Sequence, residues 1–263
     1  ERQPLTRLDS RKTQLENQIS AFGQVKSALA ELKTALEALG KSETFGAAKA
    51  AVSANADFTA VAKAGAAVGS YDISVQQLAT QQRVASSATT QFDPSGGGTL
   101  AITVGSNTVS LNVASGTTLQ QLRDQINNAN AGVTATIINN GGGNQLVLSS
   151  KETGAANAFT LTGTGALAGL SFSDPNALPT NSSSTLYRVQ NAQDAQLTVN
   201  GISVTRSSNQ ISDVIDNVTL TLTGASNTSK TLSVTQDLEP AKNAIKKLAD
   251  AYNNLMQQIE TAG

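Results

Sequence analysis

Both ends of the chain carry an apolar heptad stripe, a pattern that keeps one face of a long helix apolar. A lone helix of this kind is marginal in water, so each stripe needs a partner. The first stripe comprises Leu8, Leu15, Phe22, Leu29 and Leu36, with Ile19, Val25, Leu32 and Leu39 in the second seam position. The second comprises Ala241, Ile245, Leu248, Tyr252, Leu255 and Ile259, separated by steps of four and three residues.

The segment between the two stripes has the composition of a β domain. Residues 1–41 and 237–263 make up about a quarter of the chain and hold about half of its charged side chains. The middle is rich in Ser, Thr, Asn, Gly and Val, which suits short strands joined by polar turns. We therefore predict an α+β fold, in which the two chain ends form an antiparallel helical leg that carries a β-rich head.

Missing residue types exclude several kinds of chemistry. The chain has no Cys and no His, which excludes disulfides, Ser-His-Asp or Cys-His nucleophiles and a typical zinc site. Carboxylates of the middle are scattered singly, apart from Asp213 and Asp216, whose spacing places both on one exposed helical face. We predict no catalytic, cofactor-binding or metal-binding residue and no enzyme activity.

Charge and hydropathy also narrow the choice of partners. The net charge of −1 gives no electrostatic reason to expect nucleic acid or an anionic membrane as a partner. No apolar run approaches the roughly 20 residues of a spanning helix, so no membrane insertion is predicted. The chain begins at Glu1 without a signal-peptide pattern, and we expect it to be a segment of a longer protein.

The middle contains a run that predicts a hairpin, a short helix and a strand in that order. Alternation over residues 99–104 and 108–113 predicts the hairpin, because a polar turn separates the two runs. The apolar residues of 119–126 follow helical spacing, and Gly132 ends that helix before the strand of residues 133–138.

A second run downstream predicts the same order of elements. Residues 195–199 and 202–205 flank an Asn-Gly turn, which is a strong sign of a hairpin. Ile211, Val214 and Ile215 then predict a short apolar helix before the strand of residues 218–222. Two copies of one unit predict two related β-rich lobes.

Three parts of the sequence resemble a known family. Residues 116–119, 126–127 and 131–135 resemble the motif found in flagellin and flagellar hook-associated proteins. Residues 200–213 and 218–220 are similar to a second block of the bacterial flagellar filament cap family, called hook-associated protein two. Ala251-Tyr252-Asn253 resembles the C-terminal helical region of that family. The resemblance covers nearly the whole chain, as a central fragment of the family.

The resemblance implies a secreted structural protein at the distal tip of the bacterial flagellum. It implies a homo-oligomeric ring of several subunits, which assists the folding and insertion of exported flagellin and needs no cofactor. It also implies a leg of residues 1–41 and 237–263, a discontinuous β-rich domain of residues 42–87 and 187–236, and an inserted β-rich domain of residues 88–186.

We predict that the heptad stripes make the contacts of this protein. The contact residues are Leu8, Leu15, Phe22, Leu29, Leu36, Ile245, Leu248, Tyr252, Leu255 and Ile259. Two interpretations stay open: the stripes close the two chain ends on each other, or they meet another subunit or flagellin. The first predicts that charged substitutions at Leu29 and Leu248 each lower the melting temperature.

Two other functions remain compatible with the sequence. A filament or hook–filament junction protein of the same export system would share the flagellin-like motif, but the block at residues 200–222 speaks against it. An adhesin would bind host glycan or mucin through its polar head. The head has few aromatic side chains and no Trp to stack on sugars, which gives the adhesin little support.

Overall fold

The structure, a computed structural model, describes residues 2–88, 92–180 and 185–262. Two long helices frame a β-rich head. The helices are α1 (Arg2–Leu39), α2 (Ser42–Phe45), α3 (Leu119–Asn128) and α4 (Glu239–Ala262). The strands are β1 (Ala48–Val52), β2 (Phe58–Ala62), β3 (Gly69–Gln77), β4 (Arg83–Ser86), β5 (Gly98–Val104), β6 (Asn107–Val113), β7 (Val133–Asn139), β8 (Asn144–Ser150), β9 (Phe159–Gly163), β10 (Leu186–Gln190), β11 (Ala195–Val199), β12 (Ile202–Arg206), β13 (Gln210–Ile215), β14 (Val218–Leu222) and β15 (Lys230–Gln236).

Helices α1 and α4 pack against each other and form the predicted antiparallel leg. They run antiparallel because the chain enters the head at the end of α1 and leaves it at the start of α4. A hydrogen bond of 3.1 Å from Asn254 Nδ2 to Glu31 Oε2 links the two helices. Helix α1 is the longer of the two, and its described side chains from Thr6 to Ser20 are all exposed.

The first core of the head lies between two antiparallel sheets. One sheet has the strand order β1-β15-β3-β11-β12, and the other has the order β13-β14-β2. Alternate residues of these strands point inward, as expected for a sheet with one solvated face. The largest buried side chains of this core include Phe58, Ile73, Leu197, Leu220 and Leu232.

The second core lies between two further sheets and helix α3. The sheets have the orders β10-β4-β8-β7 and β6-β5-β9. Phe159 is fully buried in this core, and its ring meets Phe172 edge to face with centroids 5.8 Å apart. Leu122 and Ile126 are the buried residues of α3, which explains how this short helix is held on the sheets.

The first predicted run matches the structure element by element. Strands β5 and β6 form the hairpin, α3 follows, and β7 is the returning strand. A capping box starts α3: Thr118 Oγ1 accepts from the backbone N–H of Gln121, and the Gln121 side chain accepts from the backbone N–H of Thr118. This box satisfies two backbone donors that the first turn of a helix otherwise leaves open.

The second run matches at its hairpin and differs at its helix. Strands β11 and β12 pair across the turn, where Asn200 and Gly201 have φ angles of 49° and 80°, which suit a type I′ turn. The predicted helix at residues 211–215 is wrong, because these residues form β13 and pair with β14. A register shift between Ile211 and Ile215 interrupts the alternation and produces the helix-like spacing of apolar residues. The two lobes are therefore not copies of one unit.

The chain crosses between the two cores twice. Ala79 belongs to the first core and Val84 to the second, and on the return Leu186 belongs to the second core and Ala195 to the first. Strands β4 and β10 accordingly pair within the sheet of the second core. The division of the head at residues 87/88 and 186/187 stays a prediction.

Candidate interaction surface of the leg

The seam between α1 and α4 is built mainly from small and aliphatic side chains. On both helices its residues recur in steps of three and four, which keeps them on the facing sides. Ala28 is 1% exposed, and Leu255 is 9% exposed, so the seam is well covered at its centre. The seam residues are Ala21, Val25, Ala28, Leu32, Ala35 and Leu39 on α1, and Ala241, Ala244, Leu248, Ala251 and Leu255 on α4.

Most of the predicted contact residues lie outside this seam. Leu248 is partly buried and Leu255 is buried, so these two do close the leg. The other eight are exposed, by 46% at Ile259 and by up to 72% at Leu8. The interpretation that they close the chain ends on each other is therefore wrong for Leu8, Leu15, Phe22, Leu29, Leu36, Ile245, Tyr252 and Ile259.

Beside each stripe of large residues, the sequence contains a second heptad pattern that is made partly of alanines. Alanines at seven-residue spacing, such as Ala21, Ala28 and Ala35, let two helices approach closely, yet they are weaker apolar markers than leucine. On α4, Ala244 and Ala251 play the same part. The spacing of these alanines indicates the seam, but the neighbouring stripe of larger side chains is the stronger apolar signal in the sequence.

The two exposed stripes lie on the same side of the leg. Glu31 and Asn254 each come directly before a seam leucine. The hydrogen bond between their side chains places both residues on the same flank of the helix pair. Leu29 and Tyr252 each follow a seam alanine, which places both on the opposite flank of an antiparallel pair. In the same register Phe22 lies across from Ile259, and Leu36 lies across from Ile245. We call this surface the apolar flank; it comprises Leu15, Phe22, Leu29, Leu36, Ile245, Tyr252, Met256 and Ile259.

Lysines border the apolar flank. Lys12, Lys26 and Lys33 each lie four residues after a leucine or phenylalanine of the α1 stripe, and Lys242 has the equivalent position on α4. Three of them form ion pairs on their own helix, with N–O distances of 3.8 Å for Lys12 and Lys33 and 3.3 Å for Lys242. Exposed pairs of this kind contribute little to stability.

The opposite flank has a different character. The groove on this side is lined by side chains of both signs and by amides, including Glu31, Asn243, Lys247, Asp250 and Asn254. Large aliphatic and aromatic residues are absent from that lining, where the other described side chains are alanine, threonine and one proline, Pro240. The leg thus has one polar flank and one apolar flank.

The head shows charged residues in structural roles. Arg206 Nε donates to both carboxylate oxygens of Asp213, at 3.1 and 3.0 Å, and this contact lowers the pKa of Asp213. Asp213 lies on strand β13 and Asp216 follows it in a turn, so the predicted shared helical face is wrong.

Among the described residues, no three His, Cys, Asp or Glu side chains form a group that could hold a metal ion. None of the described helices combines the length and apolar character needed to cross a bilayer.

Family profiles match most of the sequence. The profile described as Flagellar hook-associated protein 2 N-terminus matches residues 1–82, and the one described as Flagellar hook-associated protein 2 C-terminus matches residues 192–262. Between them, the Flagellin hook IN motif matches residues 99–152, which contain the β5–β6 hairpin, α3, β7 and β8.

Two individual hook-associated proteins are similar to this chain over nearly its whole length. The A-type flagellar hook-associated protein 2 of Pseudomonas aeruginosa is 34% identical over 269 residues, covering 96% of this chain and 56% of that protein. Flagellar hook-associated protein 2 of Escherichia coli K12 is 37% identical over 265 residues, covering 98% and 56%. The chain thus spans little more than half the length of these relatives.

Solved structures share the fold. The crystal structure of the D1-D2-D3 domains of the flagellar cap protein FliD from Escherichia coli matches with a TM-score of 0.78 and 35% identity, covering 92% of this chain and 69% of that one. FliD from Pseudomonas aeruginosa PAO1 matches with a TM-score of 0.68 and 33% identity, covering 77% and 95%. The mixed architecture of helical leg and antiparallel sheets is therefore shared with these proteins.

Proposed function

Because the chain belongs to the flagellar hook-associated protein 2 family, we propose that it is the central part of a cap at the distal end of the bacterial flagellar filament. The observation that supports this most is the match to the Escherichia coli flagellar cap protein, at 35% identity over 92% of the chain. The cap is secreted and holds exported flagellin while the subunit folds and inserts below it.

The proposed work of the cap is mechanical and does not involve bond chemistry. Several copies of the chain form a ring, and the leg of each copy contacts its neighbours or flagellin through the apolar flank. An exposed apolar surface rimmed by polar residues is typical of an interaction site. The absence of His and Cys from the sequence is compatible with this role, and so is the ion pair that occupies Asp213.

Neither alternative function gains support from the relatives. The relatives and structures named above are hook-associated protein 2 and cap proteins. No feature of the described head favours a glycan or mucin site over the cap role.

Complementation of a strain that lacks its cap gene tests the proposal. Full-length protein with Leu15→Asp and Phe22→Asp should fail to restore swimming, and unpolymerised flagellin should appear in the medium. Both side chains are exposed in the leg, so the protein should still fold.

The matched control is full-length protein with Asp213→Asn and Asp216→Asn, which should swim. Immunoblots must show equal amounts of both variants, because a degraded variant reports only on misfolding. If the carboxylate variant alone stops swimming while it remains folded, the head contains a chemical site and the structural role is wrong.

A further inference from the structure

We propose that the two lobes of the head form one rigid body, because hydrogen bonds fix the segments by which the chain crosses between them. The first lobe contains the first core, and the second lobe contains the second core and α3. Two domains of one chain are expected to move relative to each other unless their interface is large and hydrophobic. The interface between these lobes is polar, so its rigidity has to come from hydrogen bonds at the crossings. Movement of one lobe is then transmitted directly to the other.

The first crossing, residues 79–82, is clamped to one lobe at each end. Asn209 of the first lobe binds both backbone groups of Ala79: its Oδ1 accepts from Ala79 N at 2.7 Å, and its Nδ2 donates to Ala79 O at 2.9 Å. The fully buried Gln82 binds the second lobe in the same way. Its Nε2 donates to Phe159 O at 3.1 Å, and its Oε1 accepts from Phe159 N at 2.6 Å. Ala79 and Gln82 are therefore fixed to opposite lobes.

The two residues between these clamps are held as well. Thr80 pairs with Gln193 of the second crossing, with N–O distances of 2.9 and 3.2 Å. The hydroxyl of Thr80 donates to Asn191 O at 2.7 Å, and Gln81 Nε2 donates to Lys151 O at 2.9 Å. A hinge absorbs its motion in a few residues that are free to change φ and ψ. In the first crossing, every residue is instead held by at least one hydrogen bond.

A direct contact between the lobes completes the joint. The loop between β8 and β9 of the second lobe lies against Ser207, which follows β12 of the first lobe. Thr153 Oγ1 donates to Ser207 O at 2.6 Å. On the other side of the loop, Ala155 N donates to Oδ1 of Asp194, directly before β11, at 2.8 Å. These two hydrogen bonds join the lobes without involving the first crossing.

Glycine at position 154 lets the lobes approach this closely. Gly154 has a φ of 101°, a conformation that favours glycine. A Cβ at this position would lie 2.5 Å from Cβ and 2.8 Å from Cα of Ser207, so a larger residue would have to displace backbone. The N–H of Gly154 also donates to Thr80 O at 3.1 Å, which ties the loop to the first crossing.

Double electron–electron resonance on the whole chain tests the proposal. The sequence has no Cys, so two introduced cysteines take the only spin labels. Thr59→Cys on β2 with Ser110→Cys on β6 measures a distance across the joint, and Ser110→Cys with Thr136→Cys on β7 measures one within the second lobe. All three native side chains are exposed. The distance distribution across the joint should be as narrow as the one within the lobe.

Two variants should loosen the joint in different ways. Gly154→Val places a side chain against Ser207 and should shift and broaden the distribution across the joint. Thr153→Val with Asp194→Ala removes two hydrogen bonds between the lobes without adding bulk, and should broaden the distribution to a smaller extent. The matched control is Gly141→Val: its φ of 89° is similar, but nothing lies within 4 Å of the added Cβ, so the distribution should stay unchanged.

Two outcomes would overturn the proposal. A broad distribution across the joint in the parent would show that the lobes move freely. A narrow distribution that both joint variants leave unchanged would show that other contacts hold the lobes. If Gly154→Val also broadens the distribution within the second lobe, it has disturbed that lobe, and the Thr153→Val, Asp194→Ala variant decides. The measurement needs neither flagellin nor an assembled cap, so its result is independent of the proposed function.

Discussion

The head buries most of its large apolar side chains, whereas the leg exposes many of them. The head encloses its large aliphatic and aromatic residues in two cores, and Leu100, Leu197 and Phe159 are all fully buried. Among the described residues, eleven exposed large hydrophobic side chains lie on or beside the leg helices, against six in the much longer head. The head is closed by its own sheets, whereas the leg has the surface of a helical bundle that lacks a member.

A heptad stripe shows where a helix has an apolar face, but it does not show which partner covers that face. Each leg helix has two adjacent stripes, one of alanine and aliphatic residues that meets the other helix and one of large residues that meets solvent. Folding uses the first stripe, and we propose that assembly uses the second. Stability and function should therefore depend on different residues of the same helix.

The largest expected effect is the difference in the free energy of unfolding between a Leu→Ala substitution in the head and one in the leg. Leu197→Ala in the head should lower the free energy of unfolding by about 2 to 5 kcal/mol, because it removes buried methyl groups and leaves a cavity. Leu29→Ala on the apolar flank should change it by no more than about 0.5 kcal/mol, as exposed sites usually do. Urea unfolding of both variants measures the difference, and equal losses would show that Leu29 contributes as much to folding as Leu197.

A smaller contrast is expected within the leg. Leu255 lies in the seam and Met256, its neighbour in sequence, lies on the apolar flank. Leu255→Ala should cost about 2 kcal/mol or more, and Met256→Ala should cost less than about 0.5 kcal/mol. Thermal melting followed by circular dichroism at the helix band reports on the leg, and a larger loss for Met256→Ala would place the flank against α1.

The cap of α3 should contribute about 1 kcal/mol to the stability of the second core. Thr118→Ala removes the oxygen that accepts from Gln121 and breaks the capping box. Thr118→Ser keeps that oxygen and serves as the control, with stability close to that of the parent. Chemical denaturation distinguishes the two, and no loss in the alanine variant would show that burial of Leu122 and Ile126 alone holds the helix.

The smallest expected effect is on the stability of the protein at acid pH. The pKa of Asp213 is lowered by its hydrogen bonds to Arg206, so the pair stabilises the fold above the unfolded-state pKa of about 4 and this contribution disappears as the pH falls through the folded-state pKa. Asp213→Asn should remove only this part of the pH dependence. Unfolding midpoints between pH 2 and pH 6 measure it, and identical curves for parent and variant would show that the ion pair contributes nothing.

The sequence predicts the fold where a pattern has one interpretation. Alternation and the Asn200-Gly201 turn predict the hairpins, and the spacing of Leu119, Leu122 and Ile126 predicts α3. The helix predicted at Ile211–Ile215 fails because a shifted strand register mimics helical spacing. The pairing of β4 with both β8 and β10 is a long-range arrangement that no local pattern encodes.

Heptad spacing identified the apolar contact candidates, but it did not show which of them face the other helix of the leg. The large residues of the stripes are the contact candidates, and the structure leaves eight of the ten exposed. Their exposure depends on Ala28, Ala244 and Ala251, because these small side chains let the helices pack on the neighbouring face. Choosing between two adjacent heptads required the position of the second helix, which one sequence does not supply.

Site-specific photocrosslinking in assembled filaments tests whether the apolar flank of the leg contacts a partner. A benzophenone amino acid replaces Tyr252 on the apolar flank or Gln24 on the polar flank of the full-length protein, and crosslinks are identified by mass spectrometry. We predict abundant crosslinks from position 252 to a neighbouring subunit or to flagellin, and far fewer from position 24. Crosslinks of equal abundance from both positions, or none from position 252 in caps that support swimming, would contradict it.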